Sequence, residues 1–154
     1  MRDIPTANLQ TVLKRRPLGL VFDIDGTISP YISAQYPQEV PLYPGAESLL
    51  RQAQKYAHVA ILTSRAVDNA AAMVNIDDVT YIGTYGVEWS HGLPGKNSIQ
   101  VLPEAEPYIE PSKRLLDLVE DKLSALPLML ERKLLGGREC VSPRGGGNGA
   151  AAGQ

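Results

Sequence analysis

Two aspartates one residue apart, Asp23 and Asp25, stand in the segment Asp23-Ile24-Asp25-Gly26-Thr27, directly after the apolar run Leu18-Gly19-Leu20-Val21-Phe22. Alternate side chains of an extended stretch share a face, so both carboxylates can point to one side while Ile24 packs inward. Two carboxylates held that close repel unless a cation or a proton lies between them. The arrangement suits Mg²⁺, which prefers oxygen ligands and commonly takes one or two carboxylates together with a substrate phosphate. A carboxylate can also attack phosphorus as a covalent nucleophile, provided a metal ion or fixed N–H donors offset its repulsion from the phosphate. Gly26 allows the backbone to approach a phosphate closely, and the Thr27 and Thr63 hydroxyls can donate to its oxygens. Asp25 is then placed to protonate a leaving alcohol and later to activate water.

Taken alone, Asp-x-Asp-Gly-Thr also reads as a turn, because Asp and Gly are common turn residues. The elements around it favour a site. The run at 18–22 is apolar on both alternating faces, which suits a strand buried between two helical layers. Pro30, Pro37, Pro41 and Pro44 mark a long loop, and a helix is expected after Pro44-Gly45 with Leu49, Leu50, Ala53 and Ala57 as its apolar face. A second strand, His58-Val59-Ala60-Ile61-Leu62, also ends in polar residues, Thr63-Ser64-Arg65. An alanine-rich helix over 67–74 and a third strand over 79–82 follow, with an exit turn at 83–86. Val87-Glu88-Trp89 and the Gly92–Gly95 turn suggest a small hairpin. Strand and helix in alternation predict a parallel sheet with crossover connections, whose ligands bind beyond the carboxyl ends of the strands. If the first two strands are neighbours, Asp23, Asp25, Thr27 and Thr63 converge. Pro111-Ser112 reads as the start of a further helix with Ser112 as N-cap and Leu115, Leu116, Val119, Leu123 and Leu126 as its apolar face. Leu128-Met129-Leu130 reads as the start of another strand.

These residues carry a family resemblance. Val21-Phe22-Asp23-Ile24-Asp25-Gly26-Thr27-Ile28 resembles the first signature motif of the haloacid dehalogenase (HAD-like) superfamily, and Ala60-Ile61-Leu62-Thr63-Ser64-Arg65 resembles the second. Within the superfamily the chain is similar to the trehalose-6-phosphate phosphatases. Ile82-Gly83-Thr84-Tyr85-Gly86-Val87-Glu88 stands where that family has an Ile-Gly-Asn-His-Gly-x-Glu type of turn. Thr84 and Tyr85 depart from the family's Asn-His. The resemblance, which covers roughly residues 17–133, implies an α/β fold with a HAD-like Rossmannoid parallel sheet. It implies Asp23 as nucleophile and Mg²⁺ ligand, and Asp25 as acid and base with a main-chain carbonyl on the metal. Gly26, Thr27, Thr63 and Arg65 fall to phosphate binding. The implied reaction is Mg²⁺-dependent hydrolysis of a sugar phosphate, trehalose 6-phosphate above others, through an aspartyl-phosphate.

The resemblance also implies a later lysine and a Gly-Asp-Asp-x-x-Asp stretch. No aspartate follows Cys140, and Lys122 and Lys133 are the cations at hand. Of the 14 glycines, seven fall in residues 136–154, a segment without an aromatic residue and too poor in apolar surface to pack. The expected organisation is an N-terminal lead-in (1–16), a partial core (17–110), a helix with the start of a cap (111–135) and a glycine-rich disordered tail (136–154). The expectation is a C-terminally truncated family member. Its alternatives are a catalytically inactive remnant, or a HAD-like phosphatase for another sugar phosphate. A truncated sheet would also leave the first strand at an apolar edge open to self-association.

Fifteen basic and seventeen acidic residues give a net charge of -2, which argues against a nucleic-acid or polybasic membrane surface. A single cysteine excludes an internal disulfide and a multi-cysteine zinc site. No apolar stretch approaches the ~20 residues of a membrane span, and a cytoplasmic protein is expected. Gly95-Lys96-Asn97 lacks the glycine and the Ser/Thr of a phosphate loop. His58, His91 and Trp89 read as packing or surface residues.

Overall fold

The computed structural model describes residues 6–31, 40–123, 128–132 and 137–141. Pro37, Leu126, Lys133 and residues 142–154 of the expected tail lie outside them. In chain order the elements are α1 (Thr6–Leu13), β1 (Gly19–Phe22), α2 (Ala46–Ala53), β2 (His58–Leu62), α3 (Val67–Val74), β3 (Thr80–Gly83), β4 (Glu88–His91), β5 (Gln100–Val101), α4 (Glu106–Leu123), β6 (Leu128–Arg132) and β7 (Gly137–Val141).

The main sheet has the order β1-β2-β3-β4-β5. Its first three strands are parallel, with Phe22 opposite Ile61 and Ile61 opposite Tyr81. The last two run antiparallel, Glu88 pairing with Gly83 and then with Val101. The α/β architecture is therefore as expected, with a mixed rather than a purely parallel sheet. A three-residue 3₁₀ turn, Thr84–Gly86, reverses the chain between β3 and β4. Such a tight reversal can only make an antiparallel neighbour, since a parallel one needs a long crossover.

Helix α3 buries Val67, Ala70, Ala71 and Val74, the i, i+3, i+4, i+7 spacing of one helical face. It stops at Asn75, which takes the left-handed conformation (φ 49°) favoured after a helix end. On β2, Val59 and Ile61 are buried and their alternate neighbours less so. Together with Ile24, Leu50, Ile76, Val79 and Tyr81 these residues form the core. The Arg51 guanidinium on α2 donates to the Asn75 carbonyl and the Gln54 amide to the Asp77 carbonyl, tying α2 to the end of α3.

Several expectations need correction. Among the described residues β1 is not sandwiched between two helical layers: it is the sheet edge, and Val21 is 62% exposed. Both crossovers step the same way along the sheet, and right-handed connections of that kind put α2 and α3 on one face. On α2, Leu50 is buried while Leu49 faces solvent. Helix α4 starts at Glu106 and carries Pro111 inside it, so Ser112 is not an N-cap. On that helix Leu116 is buried and Leu115 is exposed. Residues 137–141, read from composition as tail, pair antiparallel with Leu128–Arg132. Glycine content predicts poor packing, yet a hairpin asks first for backbone hydrogen bonds, which any residue but proline can supply.

Candidate active site at the carboxyl ends of the parallel strands

The chain leaves β1 through a tight turn organised by one carbonyl. Ile24 is fully buried, and its C=O accepts the N–H groups of Thr27, Ile28 and Ser29 at 3.1, 3.0 and 3.0 Å. The Gly26 N–H donates to the Ser29 carbonyl at 2.8 Å, with Gly26 at φ +82°, a conformation glycine adopts without a Cβ penalty. Burying Ile24 turns Asp23 and Asp25 to one side. Both line an open cleft of about 400 Å³, together with Thr63, Ser64 and Leu62 from the end of β2. Tyr31 and Tyr85 complete the lining, one from the chain after β1 and one from the turn after β3.

Asp23 is exposed and Asp25 partly buried. Arg65, only 5% exposed, grips Asp25 with a two-pronged ion pair: Nε donates to Oδ2 at 2.8 Å and Nη2 to Oδ1 at 2.5 Å. Its Nη1 donates to the Asn69 side-chain oxygen, one turn into α3, at 2.8 Å. A planar guanidinium matches a carboxylate in this way, fixing orientation as well as charge. Thr63 is buried, and its Oγ1 accepts the Arg65 N–H at 3.2 Å, which leaves the hydroxyl proton to donate elsewhere.

The turn after β3 is fastened to this loop. The Thr84 N–H donates to the Arg65 carbonyl at 2.8 Å and the Tyr85 N–H to the Thr63 carbonyl at 3.2 Å. Buried Glu88 accepts the Val67 N–H and the Thr84 hydroxyl on the same oxygen, Oε1, each at 2.9 Å.

Of the residues singled out from sequence, Asp23, Asp25 and Thr63 thus share one cleft. Arg65 does not line it and reaches it through Asp25. Gly26 shapes the turn, and exposed Thr27 is not among the lining residues. Sequence reasoning passed over Asn69, whose position four residues after Arg65 on a helix was a usable signal. It also passed over Tyr31, which lies beyond a proline and carries no pattern.

Among the described residues no three His, Cys, Asp or Glu side chains converge on a metal position. A magnesium ion would find the Asp23 carboxylate and the main chain of Asp25, a set compatible with an ion that keeps several waters and takes a substrate phosphate. No helix among the described residues is long and apolar enough to cross a membrane.

Parallel strands whose carboxyl ends carry two aspartates, then a threonine, give the chain an α/β fold with its candidate site at one end of the sheet. Two solved structures share the fold. One is a trehalose-6-phosphate phosphatase related protein (TM-score 0.58, 19% identity, 75% of this chain and 47% of that one). The other is the C-terminal domain of C. albicans trehalose-6-phosphate phosphatase (TM-score 0.61, 17% identity, 84% of this chain and 44% of that one). No family model matches the chain. A curated trehalose-phosphate phosphatase of Mycobacterium leprae (strain TN) is 29% identical over 143 residues, which is 88% of this chain and 32% of the relative. Along most of its length the chain is thus similar to a trehalose-phosphate phosphatase, and it shares its α/β fold with the two solved structures. It spans about a third of the length of the curated relative it matches.

Proposed function

We propose that the cleft at Asp23 hydrolyses the phosphate ester of a sugar, with trehalose 6-phosphate as substrate and trehalose and phosphate as products. One observation carries the reading. An exposed carboxylate, a second carboxylate oriented by a buried arginine and a buried threonine hydroxyl meet in a single cleft. In the first step an Asp23 oxygen attacks phosphorus, the ester P–O bond breaks, and the leaving sugar oxygen takes a proton from Asp25. In the second, Asp25 takes a proton from water, the water oxygen attacks phosphorus, and the acyl-phosphate bond at Asp23 breaks to release phosphate. Thr63 donates its hydroxyl to a phosphoryl oxygen. Arg65 serves the phosphate by holding Asp25, whose oxygens each keep a second lone pair for the proton transfers. Mg²⁺ held by Asp23 and the Asp25 carbonyl would offset the repulsion between carboxylate and phosphate.

The relative's name and its extent along the chain support the substrate assignment. The experiment is phosphate release from trehalose 6-phosphate with Mg²⁺, comparing the chain with Asp23→Asn. Turnover abolished by the substitution is expected, and turnover that survives it removes Asp23 as nucleophile. A chain that binds phosphate with Mg²⁺ but never turns over supports the inactive-remnant alternative. Turnover of other sugar phosphates in preference to trehalose 6-phosphate moves the substrate and keeps the chemistry.

A further inference from the structure

We propose that Glu88 is a positioning residue of this site: one buried carboxylate oxygen locks the Thr63–Val67 loop to the Thr84–Gly86 turn and so sets where Thr63 and Arg65 stand. The inference rests on the cleft at Asp23 being a phosphate site, but its structural half can be measured without that. Glu88 does not line the cleft, so it touches no substrate there. It is 4% exposed, and the register of β4 sets it opposite Gly83.

Helix α3 begins without a cap of its own. Ala66 occupies the N-cap position in an extended conformation (φ -63°, ψ 150°) and offers no side-chain acceptor. Ser, Thr, Asp or Asn there would accept one of the free N–H groups of the first turn. Instead the Val67 N–H goes to Glu88 Oε1, 21 residues away in sequence. The same oxygen accepts the Thr84 hydroxyl. A helix cap alone has no need of that second bond.

Thr84 and Tyr85 both adopt positive φ (47° and 58°), a region that non-glycine residues occupy only where the surroundings hold them. The Thr84 side chain is fastened to Glu88 and its N–H to the Arg65 carbonyl, while the Tyr85 N–H holds the Thr63 carbonyl. Gly83 makes the approach possible: a Cβ there would lie 2.6 Å from the Val67 nitrogen and 2.8 Å from the Arg65 oxygen. Releasing Oε1 frees the strained turn, and with it the backbone that presents the Thr63 hydroxyl and the Arg65 fork on Asp25.

The test separates capping from clasping in the full chain. Glu88→Ala removes both bonds. Ala66→Asp added to it gives α3 a local cap without touching the turn. Glu88→Gln keeps an acceptor oxygen. Three quantities are read: melting temperature, hydrogen exchange at the Arg65, Thr84 and Tyr85 amides, and affinity for inorganic phosphate with Mg²⁺. Glu88→Ala is expected to lower the melting temperature, speed exchange at those amides about tenfold or more, and weaken phosphate binding by a similar factor. The added aspartate should return the melting temperature but neither the protection nor the phosphate affinity, and Glu88→Gln should retain most of all three. Protection and phosphate affinity that return with the aspartate would overturn the proposal, leaving Glu88 a helix cap. If Glu88→Ala does not fold, the comparison is made with Thr84→Val, which deletes the clasp and leaves the cap. Unchanged exchange at Tyr85 and Arg65 in that variant overturns the proposal as well. A parent chain that binds no phosphate counts against the phosphatase reading, and the exchange rates still decide the role of Glu88.

Discussion

Among the described residues two ion pairs of the same 2.5 Å length lie at opposite ends of the parallel strands. At the carboxyl end, Arg65 and Asp25 meet at 2.5 Å with side chains 6% and 24% exposed. At the other end, before β3, Lys96 and Asp77 meet at the same 2.5 Å with side chains 67% and 40% exposed. Equal distance does not mean equal weight. The first pair is two-pronged, backed by Asn69 and mostly removed from water, so breaking it strands a charge where solvent cannot repay the loss. The second is a screened contact on a loop, where the same Coulomb term is offset by hydration and side-chain freedom. The chain places its costly electrostatics beside the cleft that Asp23, Asp25 and Thr63 line, and leaves the inexpensive kind to fasten a loop.

Arg65→Ala is the most direct way to break the contrast. It is expected to destabilise by about 3 kcal/mol, since Asp25 and Asn69 lose their partner, measured as the urea midpoint. Arg65→Lys, which keeps the charge but not the fork, should recover only part of this. A loss no larger than that of a surface pair would show that burial adds nothing here. Gly83→Ala comes next, at about 2–3 kcal/mol, because its Cβ meets backbone atoms that cannot swing aside. A neutral outcome would show that the 63–67 loop yields, and that the site end is softer than its bonds imply.

Tyr81→Phe tests the ground between the two ends. The fully buried Tyr81 hydroxyl donates to the Ile76 carbonyl at 2.7 Å and accepts the Ile76 N–H at 3.1 Å. Its removal should cost about 2 kcal/mol through the groups it strands. Burial raises the Tyr81 phenol above its ordinary value. The folded state therefore resists ionisation, and the associated stability, present below about pH 10, declines as pH rises toward the folded value. Replacing the phenol with a phenyl ring should flatten that alkaline limb, read as the melting temperature against pH.

The smallest effect belongs to Lys96→Met, which should leave the urea midpoint unchanged at physiological salt and lower it slightly at low salt. The Lys96 hydrogen bond, more than any other cause, lowers the Asp77 carboxyl from its ordinary range. Its contribution is present above about pH 3.9 and is lost as pH falls through the lower folded value. A large acid shift in the variant would mean that the loop pair carries more than its exposure allows.

Much of the frame was legible from residue order. The limits of β2 and α3 follow from periodicity and from the polar residues that end them, and a left-handed Asn75 closes α3 as helix-end chemistry predicts. The alternation of Asp23, Ile24 and Asp25 sets both carboxylates on one side once Ile24 is buried. Less legible was the start of α4. Pro111-Ser112 suggests a late beginning, yet the helix starts at Glu106 and runs through Pro111. Pro107, in the first turn, forfeits little because the first N–H groups have no partner inside the helix, whereas Pro111, the sixth residue, gives up the bond an N–H there would have made to the Pro107 carbonyl. The edge position of β1 was legible only as a consequence of strand order.

Local sequence thus determined the extents of β2 and α3, where the polar ends of β1 and β2 fall, and that Asp23 and Asp25 share one side of the chain. Such features depend on neighbours within a few residues, where periodicity and turn preference act. Tertiary structure alone decided that Arg65 holds Asp25, 40 residues away, and that Glu88 caps a helix begun 21 residues earlier. Those partnerships are set by strand register and crossover direction, which bring distant side chains together and leave no periodic mark on the chain.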